Sequence, residues 1–280
     1  REMEGSRGLG DVYKRQNLGD WRDYDKEWTE IIASFPRGEL RDYLELVSKS
    51  GVDIAVKPQY VDKLPKLWDG EVRGLLQRVD DHGRLDEFAE KTSIKHILER
   101  KLSGLSGGEL QRVAICATIL KEADVYFFDE PSSYLDIHER MRVVNIIQSL
   151  VENGKRIIVI EHDLAILDVL CDLVHIVYGQ RAAYGIFTPP RTTRTAINAY
   201  LDGYLNEENV RIRDKPISFL RGRVRGEEVG DTILQWGNMR KAMGSFSLET
   251  GQGGVRSAEV VGVVGPNATG KTTMVRMIAG

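Results

Sequence analysis

The chain has 280 residues, 41% hydrophobic and 29% charged, and a net charge of −3 from 39 Lys and Arg against 42 Asp and Glu. That composition describes a globular chain of one large or two medium domains; it argues against disorder and gives no global electrostatic case for nucleic-acid binding, which would need a local basic patch. No apolar run approaches the ~18 residues of a membrane span and nothing resembles a signal peptide, while Cys116 and Cys171 sit in apolar, helix-like contexts that read as reduced thiols, so a reducing cytoplasm is expected.

Residues 1–16, "REMEGSRGLGDVYKRQ", are polar and without period. Their end matches one reading frame of a transposon-type sequencing adaptor, so the stretch reads as non-native; a native disordered N-terminus is the alternative. Residues 21–48 predict two amphipathic helices, one carrying Trp28, Ile31, Ile32 and Phe35, the other Leu40, Leu44 and Val47, parted by the breaker "PRG". A short strand (Ile54, Val56) runs into a loop fixed by Pro58 and Pro65, followed by helices over 69–79 and 84–99 and another over 110–120. "DVYFFDEP" and "RIIVIEHD" are apolar runs ending in charge, the pattern of strands buried in a parallel sheet. Helices over 137–152 and 164–173 and a strand "LVHIVYG" complete an α/β layer, whose ligands belong at the strand C-termini. From Phe187 the prolines and clustered arginines read as a hinge over 187–222, ordered by packing if at all. Two strands are expected in "TILQWGNMRKAMGSFSLET", then a strand, glycine loop and helix in "AEVVGVVGPNATGKTT"; the chain stops at "MVRMIAG", a turn or two into that helix, and so reads as a fragment.

Gly265-x-x-x-x-Gly270-Lys271-Thr272 is a phosphate-loop pattern. Glycines let main-chain amides curl round phosphate oxygens, Lys271 reaches the β- and γ-phosphates, and the Thr272 hydroxyl suits Mg²⁺. Asn267 and Thr273 complete the expected nucleotide-binding set in this loop. Asp129, at the end of a buried strand, suits a Mg²⁺-holding carboxylate, and Glu130 suits the residue that orients or deprotonates water; a helix N-terminal acid pair is the plainer reading. In "LSGGELQR", Ser106 can cap a helix, while Gly107 and Gly108 cost helix stability and point to an approaching anion. Phe246 is either a platform for adenine or an ordinary strand-core aromatic.

In order, Gln59, "LSGGELQR" (with Ser106, Gly107, Gly108 and Glu109 toward nucleotide), "FFDEP", "SSYLD" and "IEHDL" resemble the P-loop ATPase domain of the ABC superfamily. The resemblance implies a Mg²⁺-sensing Gln59, a D-loop of Ser133, Leu135 and Asp136 at a domain seam, and a switch histidine, His162, at the γ-phosphate. "KPQYVDKLPK", "DEPSSYLD", "IEHDLAILD" and the hinge "AINAYLDGYLNEENVRIR" are similar, more narrowly, to the twin-ATPase, ribosome-recycling family of the RNase L inhibitor type, subfamily E.

That family implies an α/β fold in which residues 17–186 are a first ATPase domain with a helical subdomain but without its P-loop, 187–222 the hinge, and 223–280 the start of a second. It also explains the reversed motif order. ATP is sandwiched between domains, so Lys271 and Ser106 would face one nucleotide, and Asp129, Glu130, Gln59 and His162 another. ATP and Mg²⁺ are the implied cofactors; iron–sulfur clusters belong to a region absent from the sequence. The implied partners are the ribosome or its small subunit and a release factor, with a tandem-domain monomer and no membrane; residues 21–48 and Arg191, Arg194, Arg211 and Arg213 are candidate RNA-facing surfaces and equally candidate solvated faces. A transporter ATPase subunit would share the nucleotide motifs but not the hinge or a second phosphate loop. A third possibility is a translation factor gated by ATP binding. The 280-residue chain alone is expected to be inactive.

Overall fold

A computed structural model describes residues 51–180, 183–218, 231–244 and 246–280, and isolated positions between 32 and 48. The chain divides into two compact units, Arg1–Asp53 and Ile54–Gly280. In the first, Ile32, Arg41 and Glu45 are helical, and Arg41 pairs with Glu45 at 3.3 Å, one helical turn on. Of the helical pair expected over 21–48 only isolated positions from 32 to 48 are described, and all of residues 1–31 lie outside the described residues.

The second unit begins with β1 (Ile54–Lys57), followed by the short helices α1 (Leu64–Leu67), α2 (Val72–Gln77) and α3 (Leu85–Lys91), then the long helix α4 (Gly107–Ile119). Strand β2 (Val125–Asp129), helix α5 (Ile137–Glu152), β3 (Arg156–Ile160) and α6 (Leu164–Leu170) follow. The three strands form a parallel sheet in the order β1-β2-β3. Parallel pairing without a hairpin requires a long crossover, and α2–α4 and α5 supply those crossovers. The core lies between sheet and helices: Leu76, Ile94, Ile97, Ile115 and Ile147 are fully buried with Tyr126 and Phe128 of β2. Each such side chain contributes about 2 kcal/mol by leaving water.

Several expected boundaries shift for identifiable reasons. The helix expected over 110–120 begins at Gly107, because Ser106 and Glu109 form a capping box. The helix expected over 84–99 breaks after Lys91, where Ser93 takes φ +54 and a 3-10 turn, Lys95–Ile97, carries the last buried isoleucine. That expected over 164–173 ends at Leu170, and "LVHIVYG" splits into β4 (Leu173–Val174) and β5 (Val177–Gln180).

The hinge region is more ordered than its composition predicts. β5 pairs with β6 (Tyr184–Phe187), and β4 with β7 (Arg191–Thr192). Helix α7 (Thr193–Asp202) ends at Gly203, whose φ of +74 favours glycine, before the small ladder of β8 (Tyr204–Leu205) and β9 (Val210–Arg211). Arg191 is buried against the carboxylates of Glu207, at 3.3 Å, and Glu208. Arg213 donates to the carbonyls of Tyr200 (3.0 Å) and Leu201 (3.2 Å), satisfying the end of α7. Two of the four arginines considered for RNA therefore have internal work; Arg194 and Arg211 are exposed.

Where two strands were expected over 232–250, three form, β10 (Thr232–Trp236), β11 (Met239–Met243) and β12 (Phe246–Thr250), and β13 (Gly253–Arg256) follows them. They pair antiparallel as β10-β13 and β11-β12. The strand expected in "AEVVGVVG" does not form: Val260 and Val264 are 96% and 97% exposed. A strand apolar on both faces needs sheet neighbours and a cover, and among the described residues none pairs with it. The final helix, α8 (Lys271–Ala279), forms but buries no residue.

Candidate functional site

One group of predicted residues converges at the end of β2. Glu130 follows Asp129 with φ +47, a conformation costly for a residue with a Cβ. Its carboxylate accepts from Gln59 Nε2 at 2.7 Å and Ser133 Oγ at 3.0 Å, and lies 3.1 Å from His162 Nε2. Burial alone would raise its pKa; the bonds from Gln59 and Ser133 and the charge of His162 prevail and lower it. Asp129 moves upward, chiefly through burial, with Lys57 opposing the shift. Three residues taken from scattered motifs thus meet on the carboxylate of a fourth.

The second group is the loop ending in Lys271. Ala268 and Gly270 take φ +61 and +95, curling the loop. A Cβ on Gly270 would lie 3.0 Å from Phe246 Cζ and 3.1 Å from Leu248 Cδ1. Phe246 therefore packs beneath the loop, and it also lines a cleft of about 380 Å³ with Met243, Asn267, Lys271, Thr272 and Thr273. Lys271 Nζ turns inward onto the carbonyls of Gly265, at 2.7 Å, and Pro266. Thr272 is exposed at the start of α8, whose first-turn amides have no intrahelical acceptor.

These two groups meet through the loop leading into α5. The Asn267 amide donates to Asp136 Oδ2 at 2.9 Å, and its Nδ2 donates to the Tyr134 carbonyl at 3.2 Å. Asp136 also caps α5 through Glu139 N at 3.0 Å. The bonds from Asn267 and Glu139 lower its pKa. Beside this contact lies the start of α4. A Cβ on Gly108 would come within 3.1 Å of the Tyr134 carbonyl and 3.9 Å of Asn267 Nδ2, and one on Gly107 within 3.4 Å of the Tyr134 ring. The glycine pair admits the neighbouring backbone as well as leaving room at the helix end. Ser106 is exposed there. The Glu109 carboxylate is engaged by Ser106 N at 2.7 Å and Arg100 Nη1 at 3.0 Å. Leu135 is buried in the core.

Sequence reasoning missed four contributors. Lys57 and Gln111 are buried and bond the main chain around Glu130, Glu161 accepts from Ser132 N at 2.8 Å, and Tyr134, at φ +64, carries the carbonyl that meets Asn267. Lys57 had a signal: alternation in "IAVK" puts it on the buried face with Ala55. Burial lowers its pKa to about 8 against the attraction of Asp129 and Glu130. Cys116 is buried, and burial raises its thiol to about 12; Cys171 is a second free thiol. A larger cleft of about 920 Å³ at the hinge, lined by Tyr178, Tyr184 and Tyr200 among others, contains none of the predicted nucleotide-site residues, but Arg211 and Arg213, considered for RNA, line it. Among the described residues no group of three His, Cys, Asp or Glu could hold a metal, and no helix is long and apolar enough to cross a membrane.

The ABC transporter family matches residues 29–133. The chain is 46% identical over 264 residues to an uncharacterised ABC transporter ATP-binding protein of Methanocaldococcus jannaschii, covering 94% of this chain and 43% of that protein. It is 38% identical to ABC transporter E family member 1 of Arabidopsis thaliana (95% and 45% covered) and 36% identical to translation initiation factor RLI1 of Saccharomyces cerevisiae (95% and 45%). Among solved structures, archaeal ribosome recycling factor aABCE1 in complex with the ribosomal stalk protein aP1 superposes with a TM-score of 0.81 at 45% identity, over 91% of this chain and 49% of that one. Ribosome-bound archaeal Pelota and ABCE1 gives 0.85 at 46%, over 92% and 44%. The chain spans about half the length of the relatives it matches.

Proposed function

We propose that this chain, an ABC ATPase sequence with close relatives in the RNase L inhibitor family, is the central segment of a cytoplasmic, ATP-hydrolysing ribosome-recycling factor. In this reading residues 17–186 end one ATPase domain, 187–222 are the hinge and 223–280 begin a second domain. The observation that carries it is the Asn267 contact with Asp136 at 2.9 Å, which sets the phosphate loop of the later segment beside the Ser106 end of α4. One nucleotide would be held by Gly265, Asn267, Gly270, Lys271, Thr272 and Thr273 from one side and by Ser106, Gly107 and Gly108 from the other. Phe246 flanks the same cleft and is assigned to its base end.

The loop fits a triphosphate. Its lysine presently satisfies carbonyls of its own turn, at 2.7 Å from Gly265 O, and can exchange them for phosphate oxygens without moving its backbone. Thr272 and, at the other nucleotide, Asp129 with Gln59 are the oxygen ligands suited to Mg²⁺, which when bound would neutralise phosphate charge. Glu130, with its pKa lowered, holds the deprotonated form needed to orient or accept a proton from water, and His162 reaches from Glu130 toward the γ-phosphate position. ATP that binds the closed pair of domains more tightly shifts them toward closure, and hydrolysis releases them. That movement would act on ribosomal subunits with a release factor; the likeness to an archaeal ribosome recycling factor bound to a stalk protein, and to ribosome-bound ABCE1, supports ribosome association.

Binding of a fluorescent ATP analogue with Mg²⁺ tests the site. Lys271→Ala is expected to weaken it at least about tenfold, and Ser106→Arg, which crowds the opposite wall, by a similar order. Unchanged binding by Lys271→Ala would sink the assignment. The 280-residue chain is expected to hydrolyse ATP no faster than background.

A further inference from the structure

Two donors to which the motif strings assign no role, Lys57 and Gln111, close on the main chain of Glu130. Lys57, at the end of β1, donates through Nζ to the Asp129 carbonyl at 2.6 Å and the Glu130 carbonyl at 3.2 Å. Gln111, one turn into α4, donates through Nε2 to the Glu130 carbonyl at 2.7 Å and the Pro131 carbonyl at 3.0 Å. Both side chains are 0% exposed. On the third side the Glu130 amide donates to the Ile160 carbonyl of β3 at 2.8 Å. Three secondary-structure elements therefore pin one residue, and that residue has φ +47.

The arrangement carries a cost that packing does not explain. Gln111 Oε1 is buried without a hydrogen-bond partner, so the amide is turned to serve two carbonyls with its donor end while its acceptor goes unmet. An unmet buried acceptor is destabilising, and a fully buried amine that carries charge more so. Methionine at either position would fill the space but would take a donor from the Asp129, Glu130 or Pro131 carbonyls. What the polar groups provide is direction: strained left-handed backbone persists only where its surroundings over-determine it.

We infer that Lys57 and Gln111 are positioning residues for the Glu130 carboxylate, locking its main chain so that the side chain stays turned to Gln59, Ser133 and His162. The inference rests on the reading of Glu130 as the group that handles the attacking water. It makes the start of α4, where Ser106 caps the helix, and the carboxylate at the end of β2 parts of one rigid assembly joined by Gln111.

The test uses Lys57→Met and Gln111→Met with two readouts. In the complete twin-ATPase chain, each is expected to lower kcat roughly tenfold or more while KM for ATP stays within about twofold, since ground-state binding is not touched. In the 280-residue chain, hydrogen exchange at residues 130–135, whose amides of Glu130, Ser132, Ser133 and Leu135 are all bonded, is expected to quicken about tenfold while residues 113–119 stay protected. Unchanged kcat, a rise in KM that accounts for the loss, exchange that quickens equally throughout α4, or failure of both variants to fold would each overturn the positioning role. Glu130→Gln separates the premises: if it hydrolyses ATP as the wild type does, the reading of Glu130 falls and takes this inference with it.

Discussion

Residues 54–180 and residues 231–280 carry equally clear motifs and are built in opposite ways. The first encloses a core in which Leu76, Ile115 and Phe128 are fully buried beneath a parallel sheet. The second is two antiparallel strand pairs and a helix that buries nothing. Yet the glycine loop at Lys271 is curled, whereas Glu130 is held in its conformation by donors from β1 and α4 and an acceptor from β3. A phosphate loop is a local device, fixed by φ preferences over a few residues. A carboxylate placed by a tertiary cage is not.

The comparison can be broken most directly by truncation. Leu76→Ala is expected to destabilise the chain by about 3 kcal/mol, while Val264→Ala, at 97% exposure, should stay within about 0.5 kcal/mol; urea denaturation followed by tryptophan fluorescence measures both. A large loss at Val264 would mean that the later segment has a core after all.

Alkaline pH sharpens the contrast at Lys57. Unfolded lysine keeps its proton to 10.5, but the folded residue releases it at about 8, so the unfolded state binds more protons in between. Stability should therefore rise across that window, by at most roughly 3 kcal/mol from this group, and the rise should vanish in Lys57→Met. A wild type and variant with parallel pH profiles would refute the buried, discharged lysine.

A smaller loss than that at Leu76 is expected at the seam between the regions. Ser106→Ala removes the cap of α4 and should cost about 1 kcal/mol in the same denaturation assay. Because Ser106 is exposed, a loss several times larger would show that the residue supports more than its own helix.

Much of the site was legible because its chemistry repeats in short strings. "GPNATGKTT", "LSGGELQR" and "FFDEP" each announce a glycine turn, a cap or a strand-end acid pair, and His162 and Gln59 follow from their order along the chain. The hinge was legible as a boundary but not as a fold, since Arg191 and Arg213 looked like surface charge until their partners, Glu208 and the end of α7, were brought close. The expected strand before the phosphate loop failed for the converse reason: its valines specify burial, and burial needs neighbours that the pattern itself does not supply.

By itself, then, the sequence determined where anions can be cradled, where helices start and which strands are apolar, because those depend on backbone sterics and on residues a few positions apart. Only the tertiary structure decided which side chains meet. Lys57 and Glu130 lie 73 positions apart, and Asn267 and Asp136 lie 131 apart. Contacts over such separations are set by how helices and strands stack to remove apolar surface from water, and no local string records that.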